Sequence, residues 1–397
     1  MDLELSEQHK MIQSVVRRLV EEELRPVVRE LDSKREFPLA FFKRLGELGI
    51  LGLAAPEKYG GAGGDILGVW LTVWELARVC QSVAMGVMVH AGCVISEAFG
   101  IFATEEQQER FLPRLVSGDM IGAIAFTEPG GGSDISSIQT TAVRDGDHWV
   151  LNGTKAFITN AGAPLPGVAA VLAYTDKTQG LRRGTSVFLV ESGTKGYSVG
   201  KREDTCGMRM SHTNELVFED CRIPKESMLG EEGRGAHTAL SILDYDRLLC
   251  NALSGGAMEG ICDIVTDYAL QRKAFGKTLA HFQAIDMLVA RIHSGVQISR
   301  LLGYWCCQLA KEGKSLVEAT SIAKNYASHM AQQAAWDGML VLGGVGFTRD
   351  YDVERFFRDN MAVEIGGGST GILELQIARE VFARRGANID VYNRAQP

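Results

Sequence analysis

Hydrophobic spacing along the chain changes character twice. Between residues 4 and 120 apolar side chains recur at helical intervals. Leu5, Met11, Ile12, Val15, Val16 and Leu19 form one stripe, and Leu39–Leu51 and Ile66–Phe102 hold others. "PEKYGGAGGD" (Pro56–Asp65) interrupts them as a glycine-rich loop. From about residue 121 the period shortens to two. "TAVRDGDHWVLNGTKAFIT" alternates, is rich in β-branched and aromatic residues, and carries two turn signals, Asp145-Gly146 and Asn152-Gly153. "VAAVLAYT", "TSVFLVES" and "NELVFEDCRIP" extend the strand pattern to about residue 223. From roughly 234 to 343 the helical period returns, with Ile285, Leu288, Ile292, Val296, Leu301, Leu302 and Trp305 on long stripes. Helices of that length suit a bundle whose outer stripe buries against another copy of the chain. The pattern predicts a mainly α protein with a β domain inside it: helices over 1–120, strands over 121–233 and a helical bundle over 234–397.

Composition narrows the function classes. The 397 residues are 46% hydrophobic and 23% charged, with a net charge of −8. A mildly acidic chain argues against nucleic acid or an anionic membrane as the main partner. No uninterrupted apolar run reaches the roughly 18 residues that span a bilayer. The first stretch, "MDLELSEQHKMIQSVV", reads as an acidic amphipathic helix rather than a targeting peptide. The eight cysteines form no C-x-x-C pair and no His/Cys metal spacing, with Cys306–Cys307 an isolated vicinal pair. Reduced thiols in a reducing compartment follow. The expected location is the cytoplasm, or the mitochondrial matrix for a processed eukaryotic form.

Near the end, "VEIGGGSTG" places Gly366, Gly368 and Gly371 in the letters of a dinucleotide-binding fingerprint. That fingerprint needs a buried strand before it and a helix and second strand after it. The lead-in "RFFRDNMAVE" is charged and amphipathic, and residues 372–397 are too few for the rest of a sheet. Asp390 stands at about the right distance for the ribose acid, but nothing strand-like follows it. The glycines must serve another contact.

Four segments carry candidate chemistry. "AFTEPGGGSD" (Ala125–Asp134) ends a strand and runs into turn residues, presenting backbone N–H groups and hydroxyls suited to a flat polar heterocycle or a phosphate, or forming only a tight turn. "WVLNGTKAFITNAG" follows about 20 residues later and puts Phe157, Ile158 and Thr159 at a strand end. "QRKAFGKTLAHFQ" offers Arg272, Lys273 and Lys277 before Gln283 at a helix-loop-helix break, either to neutralise a pyrophosphate or as a solvated helix end. "VLGGVGFTRDYDVERFFRD" ends a long helix at Gly343, Gly344 and Gly346. Its Arg355, Arg358 and Asp359 read as structural ion pairs.

Together with "LSEQHKMIQ" at one end and "QIARE" at the other, these segments resemble the acyl-CoA dehydrogenase family over essentially the whole length. The resemblance implies a helical N-terminal domain, a β-barrel-like middle domain and a C-terminal four-helix bundle, assembled as a homotetramer. It implies FAD held by Phe126, Thr127 and Ser133 and by Phe157, Ile158 and Thr159. Arg272, Phe275 and Gln283 match the family's cross-subunit contact, with Leu340, Gly343 and Gly344 against the adenosine end. Ser369 and Thr370 of the glycine loop match residues that touch the flavin, and Ser133 also faces substrate. An acyl-CoA substrate and an electron-transfer flavoprotein as acceptor follow from the same resemblance. Enoyl thioester reduction and a non-catalytic FAD-binding subunit of a hetero-oligomer stay open.

The implied reaction removes a proton at Cα of the thioester, which calls for a carboxylate of raised pKa in a dry pocket. Many members carry it as a glutamate in the C-terminal loop, where this chain has Gly367. Glu364, three residues earlier, would point elsewhere. A branch resembling isovaleryl-CoA and long-chain members places the base on an earlier helix, in a stretch matched here by "LDYDRLL". Asp246 falls on the base position, and Asp244 and Arg247 match residues that meet the CoA part. The alternative for Asp246 is a structural carboxylate paired with Arg247. Aspartate is one methylene short of glutamate, and with Gly367 this suggests room for a branched or alicyclic acyl group. His90 stands among Met85, Met88 and Val89, which face the acyl pocket by analogy; it is either a satisfied core histidine or a polar contact to substrate. Met210 and Cys250 read as core.

Overall fold

The computed structural model describes residues 4–387; Asp390 lies outside them. The N-terminal stripe forms α1 (Glu7–Leu19), capped by Ser6, whose hydroxyl accepts from the His9 N–H. Its last turns widen into a π-helical stretch, Val20–Leu24. Helices α2 (Val28–Lys34), α3 (Leu39–Glu47), α4 (Ile66–Ala77), α5 (Gln81–Val87) and α6 (Glu105–Val116) follow. Between α5 and α6 the helix continues in π form over Met88–Phe102. Such wide turns cluster at functional sites.

The strands then form one eight-stranded mixed sheet: β1 (Ile121–Ala125), β2 (Thr141–Asp145), β3 (His148–Thr159), β4 (Gly167–Tyr174), β5 (Thr185–Glu191), β6 (Tyr197–Arg202), β7 (Thr213–Pro224) and β8 (Met228–Leu229). Their order is β6-β7-β3-β2-β4-β5-β8, with β1 pairing parallel to β4. A short helix, α7 (Gly180–Gly184), connects β4 to β5. The Asp145-Gly146 turn joins β2 to β3. Asn152-Gly153 is not a turn: β3 runs through it, and the pairing with β7 shifts between Leu151 and Gly153. A Cβ on Gly153 would stand 2.4 Å from Thr140 Oγ1. The glycine therefore serves a bulge and a close approach, the other use of Gly inside a strand.

The C-terminal helices are α8 (Gly235–Gln271), α9 (Gln283–Lys311), α10 (Val317–Leu342), α11 (Val353–Ile365) and α12 (Thr370–Ala383). A small hairpin of β9 (Lys273–Ala274) and β10 (Lys277–Thr278) breaks α8 from α9. The main core joins α1, α4, α5 and α8–α11 around Trp70, Trp74, Leu248, Leu253 and Phe356. Helix α4 meets α8 at glycines: a Cβ on Gly255 would touch the Trp74 ring at 2.1 Å, and one on Gly256 the Trp74 carbonyl at 2.2 Å. Two segments, Gln81–Phe102 and Gly235–Gln271, are apolar and long enough to match a membrane span once scattered polar residues are tolerated. They are 72% and 78% buried inside the protein, so packing accounts for their composition.

Arg355, Arg358 and Asp359 fill the structural roles expected of them. Arg355 is buried and donates to the Val79 carbonyl. Arg358 bonds Glu354 and Asp32, and Asp359 accepts from the Met208 N–H.

Candidate active site

Two segments singled out in the sequence are fastened together by a buried ion pair. Lys155 on β3 donates to Glu128 Oε1 at 2.7 Å and to the Phe126 carbonyl at 3.3 Å. Glu128 also accepts from the N–H groups of Gln139 and Thr140. Burial lowers the Lys155 ammonium to about 8 against the opposing pull of Glu128. For Glu128, burial works upward, but the Lys155 charge and the hydrogen bonds outweigh it and hold the carboxyl below its ordinary value. The Ala156 N–H adds a bond to the Thr127 carbonyl at 3.0 Å. Phe126 and Ile158 are thereby fixed as core, with half-buried Thr127 and Thr159 beside them. Neither Lys155 nor Glu128 was singled out from the sequence, although both lie inside the quoted motifs.

Phe157 is the conspicuous member of this shelf. It sits in a β-bulge at φ 58° and is 60% exposed. A bulky residue held in left-handed backbone is uncommon and points to a local function. Ser133 and the Pro129–Gly130 turn are exposed, and a Cβ on Gly130 or Gly132 would meet nothing within 4 Å. An open edge with free polar backbone beside an exposed aromatic fits a flat heterocycle with an anionic tail.

The carboxylate site lies between three helices and the glycine loop. Asp244, Asp246 and Arg247 are on α8, about seven turns before Arg272 at its far end. At 1.5 Å per residue the 26 positions from 246 to 272 span about 39 Å. Arg272, Phe275 and Gln283 therefore cannot join Asp246 within one chain. Phe275 is 95% exposed at φ 50°, and Leu340 is exposed as well. A Cβ on Gly343 or Gly344 would meet nothing within 4 Å. These segments form an outward-facing group.

The glycine run turns α11 into α12, with Gly367 at φ 64° and Gly368 at φ 98°. No strand flanks it among the described residues, so the dinucleotide fingerprint is absent. Ser369 takes the N-cap position of α12, and its side chain makes no capping bond. Two cations hold the loop's carbonyls. Arg247 Nε donates to Gly367 O at 2.9 Å while its Nη1 donates to Asp244 Oδ1 at 2.9 Å. Lys324 on α10 donates to Gly368 O at 2.7 Å and Glu364 O at 3.4 Å. The Glu364 side chain faces His329, with 3.7 Å between them.

Asp246 stands directly beneath Gly367. A Cβ at 367 would lie 2.3 Å from Asp246 Oδ2. A side chain at 367 would force the Asp246 carboxylate out of its present position. The part of that space next to the Gly367 Cα is taken by the aspartate itself, and the branched or ring substrate suggested by the glycine gains no support from this contact. Burial pushes the Asp246 carboxyl above the usual range, against the opposing charges of Arg247 and Lys324. Burial likewise raises Asp244 to about 6. Glu97, on the π-helical segment, is raised to about 7 by burial and accepts from Ser241 Oγ at 2.5 Å. Sequence reasoning missed Glu97, Lys324 and the two thiols on Asp246, Cys93 Sγ at 3.9 Å and Cys250 Sγ at 3.8 Å.

His90 is a core histidine, which corrects the other reading offered for it, a polar contact to substrate. It is fully buried; Nδ1 accepts the Gly122 N–H at 3.0 Å and Nε2 bonds the Leu115 carbonyl at 3.0 Å. Both nitrogens are spent on backbone, leaving none for a ligand. Burial lowers its pKa to about 4.

Family models match along almost the whole chain: acyl-CoA dehydrogenase N-terminal domain over 6–119, middle domain over 123–221 and C-terminal domain over 233–382. The chain belongs to the acyl-CoA dehydrogenase family and is an FAD-dependent enzyme. A short-chain specific acyl-CoA dehydrogenase of Clostridium acetobutylicum is 36% identical over 96% of this chain and all of its own. Acryloyl-CoA reductase (NADH) of Anaerotignum propionicum is 36% identical over 97% of each. A chain solved in work on the electron transferring flavoprotein of Acidaminococcus fermentans superposes with a TM-score of 0.92 at 36% identity, covering 96% of this chain and 99% of that one.

Proposed function

We propose that the protein dehydrogenates a short acyl-CoA between Cα and Cβ, with Asp246 as the base. The observation that carries this reading is the buried carboxylate seated under Gly367, close enough that a Cβ there would press on it. When bound, the flavin supplies the hydride acceptor. The chain's own groups do the rest. Asp246 takes the α-proton, and its raised pKa makes it a stronger base than an exposed aspartate. Arg247 and Lys324 hold the loop carbonyls that wall the site. Asp244 and Arg247 are assigned to the CoA portion. Phe126, Thr127, Ser133, Phe157, Ile158, Thr159, Ser369 and Thr370 are assigned to the cofactor of the same subunit. Arg272, Phe275, Gln283, Leu340, Gly343 and Gly344 are assigned to that of a neighbouring one.

A homotetramer is part of the proposal, supported by the outward-facing Phe275, Met287, Trp336, Leu340 and Phe347. Electron-transfer flavoprotein is the proposed acceptor, supported by the structural relative described above. Short acyl groups are favoured by the Clostridium relative, and eight free cysteines suit the cytoplasm. The Anaerotignum relative supports a second reading, reduction of an enoyl thioester by the same groups.

The test is anaerobic bleaching of the bound flavin by linear, branched and alicyclic acyl-CoAs, with Asp246→Asn alongside. Short linear substrates should bleach it fastest and the variant should be nearly inert. Normal bleaching by Asp246→Asn removes the base assignment, and a strong preference for ring substrates removes the short-chain assignment.

A further inference from the structure

A carboxylate taken out of water needs donors, or it reverts to the neutral acid. Arg247 and Lys324 are near enough to act on Asp246 by charge, but their hydrogen bonds go to loop carbonyls and to Asp244. Among the described residues, the hydrogen-bond partners of the Asp246 carboxylate are two thiols, one on each oxygen. Cys93 Sγ lies 3.9 Å from Oδ1 and Cys250 Sγ 3.8 Å from Oδ2.

The two sulfurs arrive by different routes. Cys250 is four residues after Asp246 on α8, hence on the same helix face. Cys93 is delivered by the π-helical segment, which comes close enough at Gly92 that a Cβ there would overlap Leu249 Cδ1 at 2.0 Å. Both thiols are almost fully buried, and burial drives both well above the ordinary thiol range. They stay as S–H groups and act as donors, not as competing anions.

We infer that Cys93 and Cys250 are positioning residues that clamp the Asp246 carboxylate, one thiol per oxygen, and set its basicity. The inference rests on Asp246 being the base. Thiols are weak donors. They orient the carboxylate against the Gly367 backbone without stabilising its charge as hydroxyls would, so it keeps its appetite for a proton. The groups facing Asp246 are Cys93 from the π-helical segment, Cys250 and Arg247 from α8, Lys324 from α10 and Gly367 from the loop. Glu97 acts on Cys93 by its charge.

The experiment uses the full-length, flavin-loaded enzyme. The pH midpoint of substrate-driven flavin bleaching is compared for wild type, Cys93→Ala, Cys250→Ala, Cys93→Ser and Cys250→Ser. The alanine variants should move the midpoint upward and the serine variants downward, each by about half a pH unit, roughly threefold in the proton affinity of the base. Infrared spectra supply a readout independent of turnover: at least one S–H stretching band should shift between wild type and Asp246→Asn. Serine is close in size to cysteine, so the serine variants and the infrared comparison stand if alanine prevents folding. Superimposable pH profiles in the variants that fold, or unchanged S–H bands, overturn the inference. If Asp246→Asn bleaches normally, the base assignment fails. If it is inert while the cysteine variants titrate like wild type, the thiol clamp alone fails.

Discussion

Replacing Gly367 by alanine tests the geometry of the site with a single carbon. The position sits at φ 64°, where a residue with a Cβ costs about 1–2 kcal/mol. The added atom would stand 2.3 Å from Asp246 Oδ2, about 1 Å inside ordinary van der Waals separation. The loop carbonyl is tied to Arg247 and the next to Lys324, so the carboxylate is the part that moves. Displacing a catalytic group by about 1 Å costs on the order of a hundredfold in rate, or about 2.7 kcal/mol. Gly367→Ala should therefore slow single-turnover bleaching about a hundredfold by anaerobic stopped flow while losing a few degrees of thermal stability. Gly368→Ala separates the two effects. It shares the left-handed backbone, at φ 98°, but its Cβ would meet Leu373 Cδ2 at 3.3 Å and Arg247 Nη2 at 3.5 Å rather than Asp246. It should lose comparable stability and much less rate. Gly371→Ala, with nothing within 4 Å, should match wild type. A Gly367→Ala rate within twofold of wild type would refute the contact between loop and carboxylate.

Three further outcomes are expected. Glu97 is raised to about 7 from 4.5 by burial, so the folded state holds its proton more tightly; the stability this lends is complete below about pH 4.5 and is lost as pH rises through about 7. The loss is on the order of 3 kcal/mol. Glu97→Gln should flatten that segment of the melting-temperature profile, and parallel profiles would contradict it. Lys155→Met strands a buried Glu128 carboxylate, a change that costs about 3–5 kcal/mol. The purified variant should be poor in flavin by absorbance, and a full complement would show that the ion pair does not hold the shelf. Phe275→Ala should leave the melting of an isolated subunit unchanged while weakening assembly in sedimentation; an unaltered tetramer would remove Phe275 from the proposed interface.

The order of helices, sheet and helices was legible because each period persists over tens of residues. Local chemistry was less so. Asn152-Gly153 carries the strongest short hairpin signal, yet β3 passes through it, because the spacing of β7 and Thr140 decides the backbone there. His90 carried two readings in the sequence, and only the approach of Leu115 and Gly122 decides between them. Asp246 was reachable through resemblance in "LDYDRLL". Its thiol partners were not: Cys93 lies 153 positions away, and the approach of two helices at a glycine leaves no periodic trace. The closeness of Asp246 to Gly367 was hidden for a similar reason, since sequence reports a missing side chain but not what lies beside it.

The nesting of α4 against α8 bears on how this enzyme can change over generations. Gly255 and Gly256 press on Trp74 so closely that no larger residue fits, and Trp74 Nε1 is tied to Glu259 at 2.6 Å. The middle of α8 is thus locked, while the stretch from Ser241 to Cys250 carries Asp244, Asp246 and Arg247 of the proposed site. A change at Asp246 is about 39 Å along the helix from the exposed end at Arg272, and one in the middle is nearer, but neither touches that end directly. One helix thus ties the proposed chemistry at its first turns to a packed middle that leaves no room for larger residues, so the two are inherited together.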